Sequence, residues 1–242
     1  MTVLSVNVNK IALLRNSRGR NYPDVLAFVR RFLALGVKGI TVHPRPDERH
    51  VTRQDVVDIT ELLKDYPRVE FNIEGYPSEE FLAMVERVRP AQCTLVPDAP
   101  DQLTSDHGWD VPTHATELRE ILQRLRQAGV RSSLFLDPVP GLVDAALEVG
   151  ADRIELYTES YAEAFGTDRQ DAVLADYAAT AARARELGIG LNAGHDLDLN
   201  NLATFLRIPG IEEVSIGHAL VVESLEQGMD AVVRQYLAIT GE

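Results

Sequence analysis

Two hydropathy rhythms alternate along this chain. Short apolar runs rich in β-branched residues occur at LSVNVN (4–9), GITVH (39–43), VEFNIE (69–74), QCTLVP (92–97), RSSLFLD (131–137), RIELYT (153–158), GLNAGH (190–195) and EVSIGH (213–218). Each has the length of a strand. Between them, apolar residues recur at three- and four-residue spacing, as in DVLAFVRRFLALG (24–36), DVVDITELLKDY (55–66), EEFLAMVERV (79–88) and TELREILQRLRQAG (116–129). That spacing lays an apolar stripe along one face of a helix. Gly36, Gly129, Gly150 and Gly188 stand just ahead of a following strand, where a residue able to turn left-handed stops a helix.

Eight strands alternating with helices over 242 residues match the size and rhythm of an α/β fold of the (β/α)8 barrel type. The nearly continuous apolar runs suit parallel strands covered by helices. An open doubly wound sheet would alternate in the same way, so the rhythm alone leaves both architectures standing. No Pro-, Gly- or Ser-rich linker breaks it, and residues 1–242 read as one domain. Two connections are longer than a barrel needs: KIALLRNSRGR (10–20) after the first strand and DAPDQLTSDHGWDVPT (98–113) after the fourth. A long loop on the C-terminal face of a barrel is often a lid.

Composition narrows the classes. A formal charge of -13 argues against nucleic acid and anionic membranes as partners. It leaves small anionic substrates open, because a few arginines can hold a phosphate on an acidic protein. The single cysteine, Cys93, excludes an intrachain disulfide and a Cys-rich metal site. Its apolar setting reads as a buried thiol. No basic segment leads into a long apolar one, and no run of 18 apolar residues occurs, so a cytoplasmic enzyme is the default expectation.

In a barrel, chemistry sits at the C-terminal ends of the strands. Those ends carry Asn7 and Asn9, His43, Glu74, Pro97, Asp137, Thr158, His195 and His218. A lone histidine beside apolar residues is usually a satisfied core side chain. Three of six histidines on the last residue of a predicted strand favour function. Glu74, partly desolvated at a strand mouth, can act as a general acid or base; the bland alternative is a buried Glu paired with Arg or Lys. Glu155 is a second carboxylate nearer mid-strand, costly there unless it meets a partner.

NAGHD (192–196) and SIGHAL (215–220) each put a Gly and a His where a strand gives way to a helix. Such glycine turns after strands 7 and 8, with a helix N-terminus, form the common barrel phosphate site. Tight turns with incidental histidines are the alternative. The His and Glu side chains at strand ends suit a divalent metal in principle, although no HExxH spacing is present. Of the three lysines, Lys10, Lys38 and Lys64, only Lys10 lies near a strand end, so a Schiff base would have to use it. A metal-dependent sugar-phosphate epimerase or lyase, and a non-catalytic phosphosugar-binding protein, both remain readings of these residues.

Taken together, VNVNKIALLRNSRG, GITVHPRPDERH, FNIEGYPSEE, LVPDAPDQLTS, LNAGHD and SIGHAL, in this order and spacing, closely resemble the pyridoxine 5′-phosphate synthase family over nearly the whole chain. The resemblance implies a (β/α)8 barrel with extra helices, assembled as a homo-octamer, using no metal or organic cofactor. It implies condensation of two phosphorylated small molecules, 1-deoxy-D-xylulose 5-phosphate and 3-amino-2-oxopropyl phosphate, with ring closure and release of phosphate and water.

Carried over by position, His43 and Glu74 match the proton acceptors and His195 the proton donor. Arg45, His50 and Thr104 match groups that hold deoxyxylulose phosphate, with Thr104 in the loop that the family closes as a lid. Asn7, Arg18, Gly217 and His218 match those around the aminoketone phosphate. Two departures stand out. Where many members read N-x-D-H, this chain has Asn7, Val8, Asn9 and Lys10, so contacts from Asn9 and Lys10 to deoxyxylulose phosphate are expected in altered form. The common GHG after strand 7 reads Gly194, His195, Asp196. A carboxylate is unfavourable beside phosphate, so Asp196 is expected to point away or to bind a hydroxyl or amine.

Overall fold

The computed structural model describes residues 1–98, 102 and 104–242. Strands β1 (Val3–Asn7), β2 (Gly39–Val42), β3 (Glu70–Gly75), β4 (Gln92–Leu95), β5 (Arg131–Leu136), β6 (Arg153–Tyr157), β7 (Gly190–Gly194) and β8 (Ile211–Ile216) pair in parallel, each with the next. β8 returns to pair with β1, through Val3 opposite Glu213 and Val6 opposite Ile216. Closure of the ring decides for the barrel over the open sheet.

The helices in chain order are α1 (Asn9–Asn16), α2 (Val25–Leu35), α3 (Arg53–Leu63), α4 (Glu79–Val88), α5 (Val111–Gln127), α6 (Pro140–Val149), α7 (Glu159–Ala164), α8 (Gln170–Leu187), α9 (Leu202–Phe205), α10 (His218–Gln227) and α11 (Met229–Thr240). Two helices follow each of β1, β6 and β8, the additions to a minimal barrel. Local chemistry sets their ends. The Asp24 side chain accepts from the Leu26 and Ala27 N–H groups to start α2, and Thr52 with Asp55 forms a capping box on α3. Gly36, Gly150 and Gly188 close α2, α6 and α8 in the left-handed conformation, as their sequence positions suggest.

The main apolar core lies outside the ring of strands. Leu4, Val6, Ile40, Ile73, Leu134, Ile154, Leu191 and Val214 are buried between the sheet and the helices. Alternate residues point inward, and inside the ring the filling is largely polar. Ser5 and Thr41 hydroxyls meet at 2.6 Å. The Thr94 hydroxyl lies 3.1 Å from Asn72 Oδ1 and 3.2 Å from Glu155 Oε2. Lower down, Asn192 donates to Gln92 at 3.2 Å, and Arg153 donates to Asn192 at 3.1 Å. Only Val96, Phe135 and Tyr157 form a small apolar cluster of their own towards the open end. Barrel interiors are usually filled by Val, Ile and Leu; here hydrogen bonds take much of that place, although Gln92 Nε2, Ser133 Oγ and Glu213 Oε1 find no partner among the described residues.

Several expected boundaries move. β1 ends at Asn7 rather than residue 9, because Val8, Ile11 and Ala12 turn their apolar sides inward as the first turn of α1. The stretch 10–20, expected as a long connection, is therefore mostly helix. β8 runs from Ile211 to Ile216, which puts His218 at the start of α10. His43 and His195 likewise fall one residue past β2 and β7. All three histidines thus lie just beyond the strands, two in connections and His218 at the head of α10.

Thr94→Val keeps the side-chain volume but removes the hydroxyl between Asn72 and Glu155. It should destabilise the fold by about 1–3 kcal/mol in urea titration at neutral pH, the usual cost of leaving buried polar groups without a partner.

Candidate active site

Glu74 sits at the C-terminal end of β3, at the mouth of the barrel. Its two oxygens are held loosely, one 3.5 Å from Asn7 Nδ2 and the other 3.5 Å from Ser215 Oγ. Burial pushes its carboxyl well above the usual carboxylate range, and the charges of Glu155, Glu213 and Asp98 push it the same way. Glu155, one strand layer deeper, is raised to about 8 by burial and by Glu213, against the hydrogen bond from Thr94. Gly194 makes room for this carboxyl: a Cβ there would run into Glu155 Oε1. Carboxyls kept protonated near neutrality are able to give and take protons in reaction.

The β2 end supplies a different environment. His43 is buried, and its backbone N–H donates to Asn9 Oδ1 at 3.0 Å. Asn9 in turn donates its backbone N–H to Asn7 Oδ1 at 3.0 Å, so both asparagines brace the turn from β1. Burial pushes His43 well below the ordinary imidazole range, with Arg45, His50 and Arg49 adding to the effect. His50 falls to about 4 through burial and the charges of Arg45, Lys10 and Arg49. Both imidazoles are therefore neutral at pH 7, their ring centres 6.3 Å apart. Lys10, Arg45 and Arg49 make a local concentration of positive charge beside the neutral His50 on an acidic chain.

Arg45 is not a free cation. Its guanidinium is buried against Asp98 at 2.6 Å and donates to the Gln102 carbonyl at 3.0 Å. Asp98 also accepts from Ser105 Oγ at 2.7 Å. Arg45 thus ties the loop after β4 to the loop after β2. A cavity of about 150 Å3 borders His43 and Arg45, walled by Pro44, Tyr76, Phe81 and Met84. The expected lid, 98–113, includes residues 99–101 and 103, which lie outside the described residues; Thr104 and the residues after it are described. Thr104 Oγ1 lies 3.0 Å from His195 Nε2, so the same loop reaches the opposite side of the mouth.

His195 stands just past β7 with φ +79, a conformation that side chains other than glycine rarely adopt. Its ring packs edge-on against Tyr157 at 5.1 Å. Asp196 is turned on to it, with Oδ2 2.6 Å from His195 Nδ1. No helix starts immediately after β7; the next is the short α9 at Leu202. The glycine turn after strand 7 therefore lacks the helix N-terminus expected of it. The turn after β8 has one: Gly217 caps α10 and His218 opens it. A Cβ at Gly217 would come within 2.9 Å of Asn7 Cβ, so glycine here lets the β1 and β8 ends close together. Arg18 follows α1 on the exposed surface. Among the described residues, no hydrogen bond or ion pair joins its side chain to the groups at the mouth. None of the described His, Cys, Asp and Glu side chains gather in a group of three or more able to hold a metal.

The model of the pyridoxal phosphate biosynthesis protein PdxJ family matches residues 4–242. The chain belongs to this family. It is 51% identical over 237 residues to the pyridoxine 5′-phosphate synthase of Bacteroides thetaiotaomicron, with 98% of each chain covered. It is 49% identical over 238 residues to that of Cytophaga hutchinsonii, again with 98% of each covered. A solved thiamine phosphate pyrophosphorylase from Pyrococcus furiosus superposes with a TM-score of 0.60 at 12% identity, covering 99% of this chain and 95% of the other. At that identity the likeness shows the shared barrel alone.

Of the residues singled out for this family's site, the described structure brings Asn7, Asn9, His43, Glu74, Thr104, His195 and Gly217 to the barrel mouth, and Lys10 and His50 beside it. It shows Arg45 engaged with Asp98 and leaves Arg18 outside. Asp98, Ser215 and Tyr157 were not anticipated. Asp98 follows β4 in a loop that gave no hint of its partner, and Ser215 is an ordinary inward residue of β8. Tyr157 was visible only as part of the apolar run RIELYT.

Glu155 sets a pH dependence of stability. Its folded-state proton affinity exceeds that of the unfolded chain, so the folded form holds a proton that the unfolded form has lost. Its contribution is complete below the ordinary carboxylate range and is lost as pH rises towards about 8. Glu155→Gln should remove this loss. The fall in unfolding free energy between pH 5 and 8, followed by denaturant titration, should flatten relative to the unaltered chain by up to about 1.4 kcal/mol per pH unit.

Proposed function

We propose that this chain is a pyridoxine 5′-phosphate synthase. On this reading it condenses 1-deoxy-D-xylulose 5-phosphate with 3-amino-2-oxopropyl phosphate and releases phosphate and water. The observation that carries the mechanism is the divergence of protonation states at one barrel mouth: Glu74 driven towards the neutral acid and His43 driven towards the neutral base. Pairs of groups pushed apart in this way divide acid and base roles at neutral pH.

The two substrates supply their own nucleophile and electrophile, an amine and a ketone, so imine formation needs no enzymic lysine. The steps that remain are proton transfers, loss of phosphate and water, and an aldol-type closure. His43, neutral at pH 7, accepts a proton. Glu74, above the ordinary range, exchanges one through whichever oxygen is released by Asn7 or Ser215. His195 delivers a proton through Nε2 to a leaving oxygen. The protonated Glu155 limits negative charge behind Glu74.

Two phosphates need two separated anion sites. Lys10 and Arg49, with the neutral His50 beside them, form a positive rim for one, and Arg45 supports that rim while holding Asp98. The Gly217–His218 turn at the N-terminus of α10 suits the other. Arg18, remote from the mouth in a single chain, fits the aminoketone phosphate only if a segment or a neighbouring copy brings it there. The homo-octamer implied by the family resemblance is part of this reading, and Leu13, Leu14 and Leu225, exposed on α1 and α10, offer apolar surface for assembly. Light scattering on the purified chain should return eight chains per particle; a monomer would remove assembly from the reading. No described helix is long and apolar enough to cross a membrane.

Incubation with both substrates should release phosphate and form a product with pyridinol absorbance. Glu74→Gln should lower kcat by about a hundred- to ten-thousand-fold, the usual contribution of one positioned acid/base group, with little change in KM. Absence of product from the unaltered chain would overturn the reading.

A further inference from the structure

The carboxylate of Asp196 is spent on His195. We propose that Asp196 is a positioning residue that fixes the orientation and tautomer of His195. The inference deepens the reading of His195 as the proton donor, and rests on it.

The geometry allows one reading of the ring. Asp196 Oδ2 lies 2.6 Å from Nδ1 and Thr104 Oγ1 lies 3.0 Å from Nε2. A carboxylate can only accept, so Nδ1 carries a proton in both charge states of the ring. Nε2 is left as the atom that takes up and releases a proton. The Thr104 hydroxyl serves it either way, donating to the bare nitrogen and accepting from the protonated one. The bond between His195 and Asp196 also holds the carboxyl of Asp196 below its ordinary range.

The turn that makes this contact possible is built for it. Adjacent side chains on an extended strand point to opposite faces, so neighbours in sequence do not normally pair. At His195 the backbone leaves the strand with φ +79, and the two side chains come together. Buried groups pin both sides of this strained residue. Thr158 Oγ1 donates to the Gly194 carbonyl at 2.7 Å and lies 3.3 Å from that of His195. Asn201 Nδ2 donates to the Asp196 carbonyl at 3.1 Å. Tyr157 closes one face of the ring.

The same contact explains how an acidic residue is tolerated in a turn next to an anion site. With its carboxylate turned on to the His195 ring, Asp196 presents less repulsion to a phosphate at Gly217 and His218. The other titratable groups around His195 are Tyr157 and Glu155 from β6, Glu159 from α7, Asp106 from the loop after β4 and His218 from α10. Glu159 is taken by the Tyr157 hydroxyl, and Asp106 by His107. Glu155 is held near neutral charge. Asp196 is the ionised group in direct contact with the ring.

Asp196→Asn and Asp196→Glu test this with two readouts. An amide can offer Nδ1 its NH2 group as well as its oxygen, so Asp196→Asn no longer fixes which ring nitrogen carries the proton. In Asp196→Asn kcat should fall by about ten- to a hundredfold, the scale of a misplaced catalytic group. KM for both phosphorylated substrates should stay within about twofold, since the loss falls on proton transfer rather than on binding. Asp196→Glu should restore most of kcat. Nitrogen-15 NMR of the neutral His195 ring in the substrate-free full-length chain should report the Nδ1–H tautomer, and a mixture of tautomers in Asp196→Asn. An unchanged tautomer in Asp196→Asn would overturn the proposal, as would an unchanged kcat with an altered KM, which would make Asp196 a substrate contact. The NMR arm stands even if the chain forms no pyridoxine phosphate, so failure of the dyad and failure of the proposed reaction are distinguishable.

Discussion

Glu74 and Glu155 lie inside one ring of parallel strands, and the charge of Glu155 raises the proton affinity of Glu74. Little in the interior can offset two negative charges there. The nearest hydrogen bonds come from the neutral groups Thr94, Asn7 and Ser215. Burial and mutual repulsion therefore keep protons on these carboxyls at pH values where surface carboxyls are ionised. The rest of the interior follows from this constraint. Thr94 links Glu155 to Asn72, Asn72 approaches Thr41 at 3.5 Å, and Thr41 meets Ser5. A barrel filled with branched aliphatics would be easier to fold but could not carry a protonated carboxyl to its mouth.

The same economy of charge governs the connections. The guanidinium of Arg45 and the carboxylate of Asp98 are both buried, and either one alone would be costly. Paired, they fasten the loop after β4 to the loop after β2. At its far side that loop reaches His195 through Thr104. One segment therefore touches a residue of the positive rim and the proton donor of the proposed reaction.

Much of the barrel was legible because period-two and helical spacing are local signals, and the glycine stops sharpen them. All eight expected strands lie within two residues of the observed ones at each end. β1, β4 and β8 end two residues early, and at β1 and β8 the chain turns straight into α1 and α10. Val8 looks like strand continuation, but it is buried as the residue that caps α1. The site was legible where a residue type was out of place, as with Glu74 and Glu155 in apolar strands. It was not legible where meaning lay in pairing. Arg45 and Asp98 are separated by 53 positions, and nothing in either neighbourhood names the other. The helix N-terminus expected after β7 is missing because the chain runs through LDLN after Asp196 before α9 opens at Leu202.

The β7 end shows how the polar interior and the surface turn depend on each other. Gly194 is required because the Glu155 carboxyl occupies the space of a Cβ. The next residue, His195, leaves the strand in a strained conformation with φ +79. Strain of this kind persists only where neighbours over-determine it, and Thr158, Asn201 and Tyr157 hold it. The space that Glu155 fills and the turn that carries His195 therefore meet at one residue, Gly194, whose carbonyl accepts from Thr158.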